Sequence, residues 1–248
     1  MIVKAYKTHK IKPEDNLFLI LDKYLPRLNE KDVVAVTSKI VAICEGRVVK
    51  NDGKIEKFTL AKKYCQYYLP EKYVKFNVHP TITNNVFVVS AGVDESNGAG
   101  YFVLWPKNPM KSAKEIWEYL RKKSNIKKLG IVITDSRLVP LRRGVTGFGI
   151  GWCGFEPLKD YVGTPDLFGR NFRVEKTNLV ESVAAAAVFA MGEGKEQTPL
   201  AVISDPPHLK FNDRPPSKDE TDEMTIGLED DVFAGLLTSV KWERGGQK

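Results

Sequence analysis

Cysteine and histidine are both scarce in this chain of 248 residues, which contains three of each. The cysteines are scattered and odd in number: Cys44, Cys65 and Cys153. Their spacing fits neither a disulfide framework nor a cysteine metal site, so we expect three buried thiols. The histidines are equally isolated and lack the spacing of metal ligands: His9, His79 and His208.

A long apolar run is also absent, since no stretch approaches the roughly 20 residues of a membrane-spanning helix. The first residues, MIVKAYK, lack the apolar core of a signal peptide. With 42% apolar and 28% charged residues, the composition is that of an ordinary globular protein. We therefore expect a cytoplasmic protein with no membrane partner, large enough for one core or for two interleaved domains.

Two common catalytic motifs are missing as well. The chain has no Gly-x-Ser-x-Gly sequence. Gly192-Glu193-Gly194-Lys195 is similar to a phosphate loop, but it lacks the upstream glycine, and Glu196 occupies the position of the required serine or threonine. This segment is therefore either a helix stop or a flexible loop that closes over a nucleotide.

The chain has a positive net charge of +7. Such an excess suits nucleic acid, and it also suits small polyanions such as nucleotides. The basic residues are spread out, with their densest clusters at residues 122–123, 127–128 and 142–143. Because no stripe alternates basic and aromatic residues, we expect no nucleic-acid partner and keep that function as an alternative motivated by charge alone.

Two strand-like runs each lead to an aspartate, and they are the most informative feature present. Residues 86–93 lead to Asp94, and residues 129–134 lead to Asp135. A carboxylate after a β-branched run is expected at the rim of a sheet, where ligands bind in open α/β folds. Paired carboxylates beside small hydroxyl and amide residues suit a hard divalent cation that holds phosphate. The alternative is that each aspartate forms a turn or caps a helix.

The remaining pattern mixes strands and helices without regular alternation. Ser38 follows a predicted buried strand and precedes a short helix, where it either attracts an anion or acts as an N-cap. We therefore predict an α+β fold (an irregular α/β), with mixed sheets and flanking helices. The other predicted helices cover residues 55–69, 112–123, 183–191 and 231–240, and the other strands cover 148–155, 173–177 and 200–203.

Several segments together resemble the coenzyme F420-0:L-glutamate ligase (γ-glutamyl ligase) family. They are residues 33–48, 91–97, 133–136 with 142–144, 160–163 with 166–170, and 191–194. The likeness covers about residues 1–204, which we interpret as the catalytic domain. Two interleaved subdomains within this range are the alternative. Residues 205–248 form a predicted surface excursion and closing helix, and their sequence resembles a subgroup labelled folate-metabolism γ-glutamate ligase.

The resemblance implies a fold of that family, an intertwined homodimer and a GTP-dependent reaction. Divalent Mg²⁺ or Mn²⁺ is the implied metal, and K⁺ is a further candidate. In the implied reaction a carboxylate acceptor is activated as an acyl phosphate, which the amine of L-glutamate then attacks. A folate-like or F420-like acceptor and the use of ATP in place of GTP both remain open.

Matching positions carry the implied roles. Asp94 and Asp135 are expected to bind metal, with Ser136 binding a second metal through its hydroxyl. The expected nucleotide contacts are Lys10, Ile11, Ser38, Lys39, Asn97, Met191, Gly192, Glu193, Gly194 and Lys195. From their own chemistry, Arg142 or Arg143 would neutralise charge on the transferred phosphoryl group, although a surface ion pair is an equal alternative.

The chain departs from the family pattern at three places. Ile43 stands where the family often has a lysine, although Lys39 one turn earlier would reach the same phosphates. Residues 137–139 replace an Asn-Gly-Arg sequence, and an Asp-Glu pair is reduced to Glu181, which is alternatively a capping residue. These changes motivate a second hypothesis, a non-catalytic nucleotide or metabolite sensor of the same fold.

Overall fold

A computed structural model describes residues 1–246 of the chain. Its strands are β1 (Ile2–Tyr6), β2 (Asp32–Thr37), β3 (Val48–Lys50), β4 (Tyr67–Tyr68), β5 (Pro80–Thr83), β6 (Val86–Val89), β7 (Tyr101–Val103), β8 (Leu129–Leu138), β9 (Val145–Cys153), β10 (Leu158–Asp160), β11 (Lys176–Asn178), β12 (Leu200–Ser204) and β13 (Glu243–Arg244). Its helices are α1 (Leu17–Tyr24), α2 (Ser38–Cys44), α3 (Lys57–Tyr64), α4 (Pro109–Ser124), α5 (Leu179–Met191), α6 (Lys218–Glu223) and α7 (Ala234–Leu237), with 3₁₀ turns at Glu71–Tyr73 and Ser90–Gly92.

The largest sheet has the strand order β1-β12-β2-β8-β9. Strands β2 and β8 run parallel, and the other neighbours run antiparallel. Val34 and Val36 of β2 pack with α4 on one face, whereas Val33 and Ala35 pack with α5 on the other. A strand buried on both faces has a continuous run of apolar residues, and this pattern allowed β2 to be predicted from the sequence. The predicted α+β class with mixed, helix-flanked sheets is confirmed.

Helix α5 lies unusually close to the hairpin of β8 and β9. A Cβ atom at Gly147 would lie 2.5 Å from Cβ of Val188 and 2.9 Å from the carbonyl oxygen of Ala184. Small residues on both elements therefore permit this contact. Asn178 is the N-cap of this helix, because its Oδ1 accepts from the main-chain N–H of Glu181 at 3.0 Å.

A smaller part of the molecule is built on the sheet β13-β4-β5-β6, with β3 pairing with β7 nearby. Helix α3 packs here through Leu60 and Ala61, in a core shared with Phe102 and Leu104. Strand β13 pairs with β4, so the C-terminal segment returns from the large sheet to this smaller one. The division at residue 204 stays a prediction, and residues 247–248 lie outside the described residues. Within residues 1–246 no helix combines the length and apolarity needed to cross a membrane.

Several predicted element boundaries were wrong. The helix expected over residues 55–69 ends at Tyr64, because Tyr67 and Tyr68 pair with β5 instead. The helix expected over residues 231–240 is reduced to α7, which buries none of its residues. The strand expected at 173–177 lies at β11, where a short pairing with β10 defines it.

Helix α4 begins three residues before the start predicted at residue 112. Asn108 is its N-cap, accepting from the main-chain N–H of Lys111 at 3.0 Å, and Pro109 occupies the first helical position. That position tolerates proline because its N–H has no helical partner. The hydroxyl of Ser112 instead donates to Oε1 of Glu45 at 2.6 Å, a contact between distant segments that the sequence does not reveal.

Candidate active site

The register of the large sheet brings three chain segments to one edge. In the parallel pair of β2 and β8, Thr37 lies opposite Thr134. Ser38 and Asp135 follow these residues and are therefore neighbours. The main-chain N–H of Thr37 also donates to the carbonyl oxygen of Pro199 at 3.0 Å, which places the segment entering β12 beside them. The carboxyl edge of parallel strands is the usual place for a ligand in such sheets.

Asp135 does not end its strand, so the expected strand end at residue 134 was wrong. Strand β8 continues through Leu138 and pairs with β9, so that residues 139–144 alone form the turn. A β-bulge between Ile133 and Thr134 shifts the register just before Asp135. Bulges commonly redirect side chains beside functional sites, and this one precedes the predicted metal ligand.

Asp94 also lies in a different setting from the predicted strand end. Strand β6 ends at Val89, and a 3₁₀ turn separates it from Asp94. The main chain of Asp94 exchanges two hydrogen bonds with Val103, at 2.9 and 2.7 Å. Its carboxylate accepts from the main-chain N–H of Ser96 at 2.8 Å, so the turn-forming role considered for this aspartate is present.

Lys39 forms a close ion pair with Asp94. Its Nζ lies 2.7 Å from Oδ2 of Asp94 and donates to the carbonyl oxygen of Ser96 at 2.9 Å. Burial pushes the pKa of Asp94 upward, but the Lys39 ammonium and the Ser96 donors outweigh burial and hold the pKa below its usual value. Asp94 is therefore ionised in the neutral range and available to a cation.

Asp135 has a contrasting electrostatic environment. Burial raises its pKa to about 6, and the nearby Asp94 carboxylate adds to this, while donors from Ser136, Trp105 and Ser38 partly offset it. The main-chain N–H of Ser136 donates to Oδ1 at 2.8 Å, and Nε1 of Trp105 donates to Oδ2. Two carboxylates within electrostatic reach, one of them desolvated, are typical of a functional site.

Ser38 contributes its hydroxyl to this cluster. It is the first residue of α2, whose N-cap is Thr37, so the alternative role of Ser38 as an N-cap was wrong. Its side chain is buried and faces the Asp135 carboxylate, whose pKa it helps to lower. The structure thus brings Ser38 and Lys39 to the two aspartates from one short helix.

The loop after α5 folds onto the same cluster. Gly192 ends the helix with a φ of 77°. Oε2 of Glu193 accepts from the Ser136 hydroxyl at 3.1 Å, and Nδ2 of Asn97 donates to the carbonyl oxygen of Gly194, also at 3.1 Å. Burial raises the pKa of Glu193. The interpretation as a helix stop is therefore confirmed, and the loop also contacts the cluster. Its closure over a nucleotide stays a prediction.

The remaining predicted nucleotide contacts lie around this loop. Lys10 is exposed, and Ile11 packs against Ala42 and Ile43. The segment that carries them is joined to the loop, because the main-chain N–H of Thr8 donates to the carbonyl oxygen of Gln197 at 3.1 Å. In the loop itself Met191 is buried in the α5 core and Lys195 is exposed. Their roles toward a nucleotide stay predictions.

Arg142 and Arg143 lie apart from this cluster, in the exposed turn between β8 and β9. Nη1 of Arg142 donates to the carbonyl oxygen of Leu141 at 3.1 Å. The described hydrogen bonds and ion pairs connect neither arginine to Asp94 or Asp135. Their proposed role in phosphoryl transfer stays a prediction.

The two departures from the family pattern near β8 contact each other. Nη2 of Arg137 lies 3.5 Å from Oε1 of Glu181, and its guanidinium lies 4.7 Å from the ring centroid of Phe148. Burial raises the pKa of Glu181, and the Arg137 charge opposes that shift. The carboxylate of Glu181 thus forms an ion pair, while its main-chain N–H donates to the N-cap side chain of Asn178.

Sequence reasoning missed Trp105, and it placed Glu193 only among nucleotide contacts. Trp105 lies in an unremarkable segment after β7, and no local pattern connects it with Asp135, 30 positions away. The expectation of three buried thiols was also wrong for Cys44, which is half-buried, and right for Cys65 and Cys153.

The donor set fits a hard divalent cation that is shared with phosphate. Asp94, Asp135 and Glu193 supply carboxylate oxygens, and Ser136 supplies a hydroxyl. Within residues 1–246, no three side chains of histidine, cysteine, aspartate or glutamate are grouped closely enough to hold a metal alone. Mg²⁺ commonly uses one or two carboxylates together with water and substrate phosphates, and it seldom needs a complete protein cage.

Comparison with known proteins shows the family to which the chain belongs. The family model described as F420-0:Gamma-glutamyl ligase matches residues 5–205, the range that contains every residue of the cluster. The chain belongs to this family. The matched range runs from the end of β1 through β12 and includes the loop after α5.

Curated relatives extend over most of the chain. The coenzyme F420:L-glutamate ligase of Methanococcus maripaludis strain C7 is 32% identical over 228 residues, covering 86% of this chain and 88% of the relative. The enzyme of the same name from Methanopyrus kandleri is 31% identical and covers 78% and 82%. That from Methanosarcina barkeri is 34% identical and covers 76% and 79%.

Proposed function

We propose that this protein is a nucleotide- and divalent-metal-dependent ligase that adds L-glutamate to a carboxylate acceptor through an acyl phosphate. The observation that carries the proposal is the convergence of Lys39, Asp94, Asp135, Ser136 and Glu193 at one sheet edge. These groups come from four separated segments, and they combine cation-binding oxygens with a phosphate-binding ammonium. The names of the family and of the relatives support glutamate as the amine substrate.

The oxygens of Asp94, Asp135 and Ser136 would hold Mg²⁺ or Mn²⁺, with Glu193 beside Ser136. A divalent cation there supplies charge neutralisation to phosphate oxygens. Lys39 would turn from Asp94 toward the phosphates, since its ammonium is a compact charge with three donors. Ile43 is buried against Ala42 and Val103 and cannot do this, which leaves Lys39 as the basic residue of α2 near the site.

The chemistry is balanced in two steps. An oxygen of the acceptor carboxylate attacks the terminal phosphorus, and nucleoside diphosphate leaves. The amine of glutamate then attacks the acyl carbon, phosphate leaves, and an amide forms with loss of a proton. Such transfers depend mainly on positioning and charge neutralisation, which a preassembled cluster provides.

The loop after α5 would cover the nucleotide. Its contact between Asn97 and Gly194 ties it to the segment that carries Asp94. We propose GTP as the nucleotide, with ATP as the alternative, and K⁺ as a further cation. The acceptor is proposed to be F420-like, as in the names of the relatives, or folate-like, as the resemblance of the C-terminal segment suggests. A homodimer and a cytoplasmic location remain part of the proposal.

Mass spectrometry of a turnover mixture tests the proposal. The mixture contains the protein, Mg²⁺ or Mn²⁺, GTP or ATP, L-glutamate, and F420-0, reduced folate or a γ-glutamyl form of either. We expect one acceptor to gain a glutamyl unit with release of nucleoside diphosphate. Asp135→Asn should abolish both, whereas Asp52→Asn should not, because Asp52 is exposed and its carboxylate contacts Lys54.

The outcomes separate the two hypotheses. Nucleotide binding without product for any acceptor would favour the non-catalytic sensor. Absence of nucleotide binding would contradict the assignment of the site. Light scattering of the same preparation measures the proposed dimer independently of turnover.

A further inference from the structure

A buried indole lies directly behind the Asp135 carboxylate. Trp105 is 6% exposed, and its ring packs beside Phe148 with centroids 6.1 Å apart. Its Nε1 donates to Oδ2 of Asp135. An indole N–H is a donor only, so this contact favours the ionised carboxylate as the acceptor.

Trp105 also contacts the segment that carries the other aspartate. A Cβ atom at Gly92 would lie 2.1 Å from Nε1 of Trp105, and Gly92 has a φ of +72°. The main chain at Gly92 therefore lies against the donor end of the indole. Asp94 follows two residues later, so the indole fills the space between the segment of Asp94 and the side chain of Asp135.

The main chain of Trp105 is held from the smaller part of the molecule. Nε of Arg47 donates to the carbonyl oxygen of Trp105 at 3.2 Å, and the guanidinium lies 4.9 Å from the ring centroid of Tyr64. The indole is thus fixed at its main chain as well as at its ring. A fixed donor can hold a carboxylate in one orientation.

Both oxygens of Asp135 have protein donors. Oδ2 accepts from Trp105, and Oδ1 accepts from the main-chain N–H of Ser136 at 2.8 Å. The hydroxyl of Ser38 is a third donor to this carboxylate. The two oxygens together have four lone pairs, so one remains for a cation. Hydrogen bonds of this kind orient the ligands of metal sites.

We propose that Trp105 is a positioning residue, which fixes the orientation of the Asp135 carboxylate and its separation from Asp94 for cation binding. This inference rests on the proposed function, because it takes Asp94 and Asp135 as metal ligands. Trp105 itself contacts neither cation nor substrate and acts through Asp135.

The test measures Mn²⁺ binding to nucleotide-free protein. The electron paramagnetic resonance signal of free Mn²⁺ reports how much of the ion remains unbound. Trp105→Phe removes the N–H and keeps an aromatic ring. We expect the Mn²⁺ dissociation constant to rise roughly 10- to 100-fold, the usual effect of losing such a supporting hydrogen bond. Because no turnover occurs, the measurement is independent of activity.

Trp117→Phe is the matched control. Trp117 is 3% exposed, and its Nε1 donates to the carbonyl oxygen of Leu129 at 2.8 Å. It therefore loses an equally buried indole hydrogen bond without a connection to Asp135. We expect a loss of thermal stability similar to that of Trp105→Phe, with unchanged Mn²⁺ affinity. If Trp105→Phe does not fold, benzothienylalanine at position 105 replaces the N–H by sulfur within the same ring shape.

The outcomes distinguish this inference from the proposed function. Unchanged Mn²⁺ affinity in the position 105 variants, or equal weakening in Trp117→Phe, would overturn the positioning role while leaving the ligase proposal intact. A wild-type protein that binds no Mn²⁺, with or without GTP, would instead overturn the metal assignment on which both rest.

Discussion

The Lys39 ammonium lies 2.7 Å from Oδ2 of Asp94, where a divalent cation would bind under the proposed function. Cation and ammonium cannot occupy that position together. Replacing Lys39 by methionine removes the competing charge and keeps a similar apolar stem. We therefore expect Lys39→Met to bind Mn²⁺ more tightly than the wild type when nucleotide is absent, and to bind GTP more weakly.

The two effects differ in size as well as in sign. The side chains of Lys39 and Asp94 are 27% and 42% exposed, so solvent screens their ion pair. Such a pair contributes about 1 kcal/mol at most, and its removal should tighten Mn²⁺ binding by roughly fivefold or less. A hydrogen bond from an ammonium to phosphate contributes about 1.5–3 kcal/mol, which corresponds to roughly 10- to 150-fold weaker GTP binding.

Mn²⁺ titration by electron paramagnetic resonance and GTP titration by calorimetry measure the two affinities separately. Lys54→Met serves as the control, because it removes an exposed ammonium 3.4 Å from Asp52, outside the cluster. We expect both affinities of the control to match the wild type. Weaker Mn²⁺ binding in Lys39→Met would refute the reasoning, since it would mean that Lys39 supports the cation site and does not compete for it.

Two further predictions concern stability. Gly147→Ala should lower the free energy of unfolding by about 1–3 kcal/mol, because its Cβ would lie 2.5 Å from Val188. The control is Gly235→Ala in helix α7, where a Cβ atom would meet no neighbouring atom. In urea unfolding this control should be neutral or stabilising by up to about 1 kcal/mol. Equal losses of unfolding free energy in the two variants would contradict the packing argument. For metal-free protein, the raised pKa of Asp135, about 6 against a usual 3.8, means that the folded state binds this proton more tightly than the unfolded chain. Relative to Asp135→Asn, the free energy of unfolding of the wild type should therefore fall by up to about 3 kcal/mol as pH rises from about 4 through 6. If the unfolding free energies of the two proteins changed in parallel with pH, the raised pKa would be contradicted.

The sequence by itself determined the family and the elements with strong local signals. Strand β2 is an uninterrupted apolar run, and α5 carries its own cap at Asn178 and a glycine stop at Gly192. These signals depend on residues that are close together in the chain, so they can be interpreted before any partner is known. Several residues of the candidate site were also named in advance, with Lys39, Asp94, Asp135 and Ser136 among them.

Only the tertiary structure decided how those residues are placed. Strand β8 extends past Asp135 because β9 is available as its pairing partner, and the polar sequence there gives no strand signal. Trp105 reaches Asp135, and Glu193 reaches Ser136, across long separations in the chain. Local sequence specifies which backbone conformations are favourable, whereas contacts between distant segments exist only after the sheet has set its register. For this protein, the sequence determined which groups are present, and the folded sheet edge decided which of them meet.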